Sequence, residues 1–238
     1  MTALRNRRPL VIANFAITAD GKISTRNRTP SLFSSPRDKK MLLQIRAGAD
    51  AVLVGRTTVA SDAMTLGLPD QALRAQRLAR GQVEFPLRVV VTNSGRLSPK
   101  LRLFQAAAGP IVIFTSDQMS RAAESRFRAL GADVRRHRGR GVNLRRLLAD
   151  LRADYAVKIV VCEGGARLMR SLLALDLVDR IHLTLCPTIF GGKLAPTFTG
   201  LPGEFLPSAI RLRMIAMDVS VDGECFLEYH VVRGRGKK

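Results

Sequence analysis

The chain has 238 residues, of which 46% are hydrophobic and 5% aromatic, with a formal net charge of +20. This apolar content is enough for a globular core, no apolar run approaches the ~20 residues of a membrane span, and the basic N-terminus lacks the long apolar segment of a signal peptide. The cysteines and histidines are scattered, which argues against disulfides and against a metal site, so we expect a cytoplasmic protein without bound metal. The arginines are scattered as well and aromatic residues are few, which argues against nucleic acid as a partner.

In chain order, the hydrophobic pattern predicts strands and helices that alternate along most of the sequence. A strand is predicted at residues 10–16, followed by a helix at 37–47 whose start is marked by Ser35-Pro36. The pattern continues with strands at 51–54, 87–91 and 111–114, helices at 117–130 and 142–151, a strand at 157–161, a helix at 166–175 and a strand at 181–185. The polar, arginine-rich residues 71–85 are predicted to form a surface insertion.

The C-terminal part of the chain has a different pattern. Residues 210–219 and 225–232 alternate like an antiparallel pair of strands. We therefore predict one α/β domain over residues 9–232, with a mostly parallel central sheet flanked by helices and antiparallel strands at its C-terminal end. Basic tails at 1–8 and 233–238 flank this domain.

The most informative stretch is the Glu-Gly-Gly turn at residues 163–165, between the strand at 157–161 and the helix at 166–175. Two consecutive glycines allow a ligand to lie against the main chain. The free N–H groups of the following helix then point at that ligand, with the positive end of the helix dipole behind them. This arrangement suits a phosphate-bearing cofactor, although an ordinary tight turn would have the same sequence.

A second transition of the same kind follows the strand at 51–54. Arg56 offers a guanidinium fork for phosphate oxygens, and Thr58 places a hydroxyl near the start of the next helix, where threonine is also an ordinary cap. A third strand end carries Asn93. Because the carboxyl ends of parallel strands form one crevice, we expect the three ends to line the same site. Neither a G-x-G-x-x-G nor a P-loop motif is present to account for phosphate binding.

These turns resemble those that hold the phosphates of NADPH in dihydrofolate-reductase-like folds, and in particular those of the reductase of riboflavin biosynthesis. That reductase occurs alone or as the C-terminal half of a bifunctional deaminase/reductase. The matching segments are the S/T-x-D-G-K turn at 18–22, Ser-Ser-Pro at 34–36, R-A at 46–47, x-E-G-G at 162–165, L-V-D at 177–179 and P-x-x-x-G-G at 187–192. Together they extend over nearly the whole chain.

The resemblance implies an NADPH-dependent reductase that converts the ribosyl group of 5-amino-6-(5-phosphoribosylamino)uracil into ribityl by hydride transfer to C1. It also implies a phosphorylated small-molecule substrate and a homodimer. Arg56 beside the phosphates favours NADPH over NADH.

The same resemblance assigns site residues. The implied cofactor-binding residues are Thr58, Asp62, Asn93, Gly164, Gly165, Ala166, Arg167 and Leu168, with Arg56 added by analogy with the wider superfamily. The implied substrate-binding residues are Asn14, Thr18, Ser34, Arg46 and Glu163, and the implied catalytic groups are Glu163 and Asp62. Arg46 could instead be a last-turn cation that complements its helix dipole. Glu163 needs a partner, because it is a carboxylate at a buried strand end.

One segment departs from the family pattern. After Thr58 the riboflavin reductases continue x-D-D-P-x-L-T-x-R, whose last Arg helps to hold the substrate, whereas residues 61–69 of this chain read SDAMTLGLP. Asp62 is kept, but the second Asp, the Pro and the final Arg are missing. A pterin, a dihydrofolate or another imine is therefore the alternative substrate. A basic nucleic-acid-binding protein on an inactive reductase fold is the alternative from another class.

Overall fold

The structure is a computed structural model that describes residues 8–25, 33–61, 64–200 and 206–233. Its strands are β1 (Leu10–Thr18), β2 (Ala51–Gly55), β3 (Leu87–Val91), β4 (Ile111–Ser116), β5 (Ala132–His137), β6 (Ile159–Gly164), β7 (Arg180–Cys186), β8 (Arg211–Val219) and β9 (Cys225–Val232). Its helices are α1 (Pro36–Gly48), α2 (Arg56–Ser61), α3 (Gln71–Ala79), α4 (Arg102–Gln105), α5 (Arg121–Ala129), α6 (Leu144–Asp154) and α7 (Ala166–Ala174). None of these described helices is long and apolar enough to cross a membrane.

The first of two compact units comprises Met1–Leu10 and Lys40–Gly165. Its strands follow the order β5-β4-β3-β2-β6, and each neighbouring pair is parallel. The valine- and isoleucine-rich sequences of β2 and β4 are almost wholly buried, as is typical of parallel strands covered on both faces. The direction of strand addition changes between β2 and β6, and ligands bind at such a switch point in open α/β sheets.

The second unit comprises Val11–Lys39 and Ala166–Lys238. Strand β1 pairs with β7 in parallel, and β9 pairs with both β7 and β8 in antiparallel fashion. The two units together confirm the predicted fold class, which is a mostly parallel arrangement flanked by helices with antiparallel strands at the C-terminal end. The single domain over residues 9–232, with its basic tails, stays a prediction.

The sequence-based prediction missed strand β5. Its sequence ADVRRH alternates only partly, because arginines occupy two of the six positions. The stretch at 71–85, predicted as a surface insertion, contains helix α3. Most α3 side chains are exposed, but Arg77 is completely buried.

Arg77 caps the C-terminal end of helix α1 by hydrogen bonding to its last carbonyl oxygens. Its Nη1 donates to the carbonyl oxygens of Ala47 at 3.0 Å and Arg46 at 3.4 Å, and also to that of Ala49. Its Nε donates to the carbonyl of Val83 at 3.0 Å. The last carbonyls of a helix have no partner within the helix, and a buried guanidinium satisfies several at once. Burial lowers the pKa of Arg77.

We expect Arg77→Met to lower the free energy of unfolding by about 2–4 kcal/mol, because the side-chain volume is kept while several buried carbonyls lose their donor. Urea unfolding measures this change. The control is Arg80→Met, since Arg80 is exposed and donates to one main-chain carbonyl, that of Ala47 at 2.7 Å, and to the side-chain oxygen of Gln82 at 3.2 Å. Its loss should cost under about 1 kcal/mol. Equal losses in the two variants would contradict the role assigned to Arg77.

Candidate active site

Three predicted site segments lie at the carboxyl ends of parallel strands in the first unit. Arg56 and Thr58 begin helix α2 directly after β2, and Asn93 follows β3. Gly164 ends β6 and Gly165 follows it with a φ of 92°, a value that glycine adopts without strain. The strand ends therefore share one edge of the sheet, as expected for a ligand crevice.

Gly164 brings the β6 turn against the first turn of α2. A Cβ atom added at Gly164 would lie 2.6 Å from Cγ2 of Thr58 and 3.1 Å from its Oγ1. Only glycine fits this approach without displacing Thr58. The approach places a threonine hydroxyl beside a glycine main chain at the switch point, and these groups fit the phosphates of a nicotinamide dinucleotide. Ala166, Arg167 and Leu168 follow along the chain as the first residues of α7.

Glu163 is the extra residue of a β-bulge. Leu53 of β2 pairs with Cys162, but the next residue, Val54, pairs with Gly164, so the register shifts at Glu163. A bulge re-aims the side chain of its extra residue and is common beside active sites. Here the carboxylate leaves the regular alternation of β6 and meets a cation from helix α1.

That cation is Arg46, and the pair is bidentate. Nε of Arg46 donates to Oε1 of Glu163 and Nη2 donates to Oε2, each at 2.6 Å, while Nη1 donates to the carbonyl of Gly67 at 2.8 Å. The two side chains are only 8% and 2% exposed. Burial disfavours the charged guanidinium, but the charge and hydrogen bonds of Glu163 outweigh it and raise the pKa of Arg46.

Asn93, which follows β3, forms hydrogen bonds with the end of β4 and with the loop after β5, on the side of β2 away from β6. Its Oδ1 accepts the N–H of Val142 at 3.1 Å, and its carbonyl accepts the hydroxyls of Thr115 and Ser116, each at 3.1 Å. Arg56 is exposed and makes one long hydrogen bond, 3.4 Å from its Nη1 to the carbonyl of Arg96. The Arg56 guanidinium is thus largely available to a ligand.

Two further site predictions concern Asp62 and metal binding. Asp62, assigned to the cofactor and to catalysis, lies outside the described residues. Within the described ranges, no group of three or more His, Cys, Asp and Glu side chains is placed to hold a metal ion.

In the second unit, Thr18 and Asp20 build the turn after β1. The Thr18 hydroxyl donates to Asp20 Oδ1 at 2.5 Å and accepts the N–H of Lys22 at 2.9 Å, and Thr18 is fully buried. Asp20 also accepts the N–H groups of Phe190 at 3.2 Å and Gly191 at 2.8 Å. The bond from Thr18, followed by those backbone bonds, lowers the pKa of Asp20. Thr18 therefore has a role in the turn, and its contact with substrate stays a prediction.

Asn14 and Ser34 are partly buried in the same unit. Asn14 pairs with His182 across β1 and β7 and lies on the less buried face of β1. Ser34 directly precedes Ser35, whose Oγ accepts the N–H of Asp38 at 3.2 Å at the start of α1.

Sequence reasoning missed Glu224, which fixes the segment next to Ser34. The Glu224 carboxylate accepts the N–H of Ser35 at 2.8 Å, the Ser35 hydroxyl, and the thiol of Cys186 at 3.4 Å. Glu224 is 3% exposed. Burial, followed by the hydrogen bond to Glu224, raises the pKa of the Cys186 thiol to about 12. Glu224 and Ser35 are 189 residues apart, and no local motif signals their contact.

We expect Glu224→Gln to lower the free energy of unfolding by about 1–3 kcal/mol, because an amide presents N–H donors to groups that are themselves donors. Thermal or urea unfolding measures the change. Asp222→Asn is the control, since Asp222 is exposed in the same turn. A neutral Glu224→Gln substitution would show that this carboxylate does not hold the Ser35 segment.

Comparison with known proteins identifies the family. The profile of the RibD C-terminal domain matches residues 9–224. The 2,5-diamino-6-ribosylamino-4(3H)-pyrimidinone 5′-phosphate reductase of Methanothermobacter thermautotrophicus is 34% identical over 212 residues, which are 87% of this chain and 91% of the relative. The riboflavin biosynthesis protein RibD of Actinobacillus pleuropneumoniae is 27% identical over 234 residues, which are 96% of this chain and 58% of the relative.

A solved structure described as a pyrimidine reductase-like protein from Corynebacterium diphtheriae has the same fold. It is 21% identical, with a TM-score of 0.83 over 98% of this chain and 96% of its own. The relatives confirm the predicted reductase of riboflavin biosynthesis, an activity that implies a nicotinamide cofactor. The chain belongs to the RibD C-terminal domain family.

Proposed function

We propose that the chain is an NADPH-dependent reductase that reduces the ribosylamino group of a phosphorylated aminopyrimidine to ribitylamino. The supporting observation is the approach of Gly164 to Thr58 at the switch point, in a family whose relatives are named pyrimidinone phosphate reductases. This approach places a hydroxyl and free main-chain N–H groups where a dinucleotide phosphate would bind.

In the proposed reaction the bound cofactor supplies a hydride to C1 of the ring-opened ribosylamine, which is an imine. The imine nitrogen takes up one proton, so the product is a secondary amine on an open ribityl chain. The protein holds the two ligands in contact and excludes competing reactions. The proposed cofactor contacts are Arg56, Thr58, Asp62, Asn93, Gly164, Gly165, Ala166, Arg167 and Leu168.

The proposed substrate contacts are Asn14, Thr18, Ser34, Arg46 and Glu163. Each Glu163 oxygen accepts one bond from Arg46, and a carboxylate has about four acceptor positions, so capacity remains for a hydrogen bond from the substrate. Arg46 orients this carboxylate. Glu163 and Asp62 stay the proposed catalytic groups.

The substrate class has two close members. Resemblance to the family suggested 5-amino-6-(5-phosphoribosylamino)uracil, whereas the relative at 34% identity is named for the 2,5-diamino pyrimidinone, in which an amino group replaces the uracil oxygen at C2. A pterin would need an available carboxylate on the first helix. The carboxylate considered for this role is Asp38 of α1. It accepts a hydrogen bond from the hydroxyl of Thr184 at 2.6 Å and so already has a role in the fold.

Parallel assays with the two pyrimidine phosphates test this proposal by following the nicotinamide absorbance with NADPH. We expect turnover with at least one of them and none with dihydrofolate. Turnover with dihydrofolate alone would contradict the proposed substrate class.

We also propose that the protein is a cytoplasmic homodimer, with β8 at the interface. β8 is the outermost strand of its sheet order, all nine of its residues are exposed, and its apolar side chains include Leu212, Met214, Ile215, Met217 and Val219. A long apolar edge strand normally pairs or is covered. Sedimentation equilibrium should give a dimer for the native chain and a monomer for Met214→Lys/Met217→Lys. A monomeric native chain would contradict the interface.

A further inference from the structure

NADPH and NADH differ only in the phosphate on the 2′-oxygen of the adenosine ribose. Enzymes that select NADPH commonly place an arginine beside that phosphate, because a guanidinium binds phosphate oxygens through paired N–H donors. A residue with this role must lie along the sheet edge that carries Arg56, Thr58 and Asn93, here called the cofactor edge. Its guanidinium must also be available, without an ion pair or hydrogen bond to the rest of the described chain.

The loop between β5 and α6, residues 138–143, carries two such arginines. Arg138 and Arg140 are both exposed, and neither guanidinium forms an ion pair or hydrogen bond with the part of the chain that is described. Arg135 and Arg136, in the same arginine-rich run, differ in this respect. Arg135 pairs with Asp154, and Arg136 pairs with Glu124 at 2.6 Å.

Hydrogen bonds fix the main chain of this loop, whereas the two arginine side chains have no partner among the described residues. Gly139 donates its N–H to Asp117 Oδ2 at 2.6 Å, and its carbonyl accepts the Asp117 N–H at 3.1 Å. Gln118 donates to the Arg140 carbonyl at 2.5 Å. A fixed backbone reduces the entropy lost when the arginines bind a ligand.

Asn93 connects this loop to the cofactor edge. Its Oδ1 accepts the N–H of Val142, so a proposed cofactor residue contacts the loop directly. The strand order β5-β4-β3-β2 separates the end of β5 from the phosphate turn after β2 by three strand spacings, about 14 Å. An extended dinucleotide with its pyrophosphate at Arg56 and Thr58 can cross Asn93 with its adenosine and reach the loop.

On the basis of the proposed function, we propose that Arg138 and Arg140 bind the 2′-phosphate and select NADPH over NADH. Arg56, at the turn after β2, then binds the pyrophosphate, which both nucleotides share, instead of favouring NADPH as expected from the sequence. The two arginine positions therefore separate general nucleotide binding from discrimination at the 2′-position.

Calorimetric titration of Arg138→Ala/Arg140→Ala with NADPH, NADH and 2′-AMP tests this assignment without requiring turnover. We expect the Kd for NADPH and 2′-AMP to rise about tenfold or more, and the Kd for NADH to stay within about twofold of the native value. Arg56→Ala should weaken both dinucleotides. Arg126→Ala is the matched control, because Arg126 is an exposed arginine in the last turn of α5.

The outcomes are distinguishable from failure of the proposed function. Unchanged NADPH binding in the double variant would overturn the role of the two arginines, and so would an equal loss for NADPH and NADH, which indicates only general attraction of anions. If the native chain bound neither dinucleotide, the proposed function itself would be wrong.

Discussion

Replacing Glu163 with glutamine is expected to lower the free energy of unfolding by about 3 kcal/mol and to lower kcat/KM by at least about tenfold. The stability loss arises because Arg46 is 8% exposed and would keep a buried charge without its counter-charge. The loss of activity arises because the carboxylate proposed to contact the substrate is replaced. Urea unfolding and steady-state kinetics measure the two effects separately.

A paired substitution separates these effects. Arg46→Met/Glu163→Leu removes both charges and fills the space with apolar atoms, a change that is often neutral for a buried ion pair. We expect stability within about 2 kcal/mol of the native value but activity as low as in Glu163→Gln. Native activity in this variant would show that the pair serves the fold alone. For comparison, Glu84→Gln breaks the half-exposed pair with Arg74 and should cost under about 1 kcal/mol.

The second large effect is expected for Gly164→Ala. The new Cβ would lie 2.6 Å from Cγ2 of Thr58, so the β6 turn and α2 must separate, and we expect NADPH affinity to fall about tenfold or more. Titration of the protein with NADPH measures this loss. Gly48→Ala is the control, because a Cβ there meets nothing within 4 Å.

Rescue by Thr58→Ser gives this prediction a specific signature. Serine lacks the Cγ2 methyl that the new Cβ would meet but keeps the hydroxyl proposed to bind phosphate. Gly164→Ala/Thr58→Ser should therefore recover part of the lost affinity. If Gly164→Ala alone binds NADPH as tightly as the native chain, the phosphate site is not at this turn.

The sequence was sufficient for features that depend on local pattern. Buried valine-rich runs identified β2 and β6, and the Glu-Gly-Gly turn was predicted as a phosphate-binding turn, which the structure places where the strand order changes. Burial of a carboxylate also required a partner for Glu163. That partner, Arg46, is 117 residues away, and only the register shift in β6 explains why the two side chains meet.

The remaining features depend on tertiary contacts. Glu224 reaches Ser35 across 189 residues, and Arg77 reaches the end of α1 from a helix that reads as surface. Arg88 is likewise 3% exposed and donates to the carbonyls of Leu103 and Gly109. A sequence gives the number of arginines but not which of them satisfy buried carbonyls, so part of the positive charge of this chain has a structural role.

The most direct test of the proposed reaction is transfer of deuterium from NADPH labelled at C4 of the nicotinamide to the pyrimidine product. The 4R- and 4S-labelled cofactors are supplied separately with the phosphorylated ribosylaminopyrimidine, and the product is analysed by mass spectrometry. We expect one of the two cofactors to place one deuterium at C1 of the ribityl chain, as hydride transfer to the imine requires. A ribityl product without deuterium from either cofactor, or no reduction of either pyrimidine, would contradict hydride transfer from NADPH to the ribosylamino group.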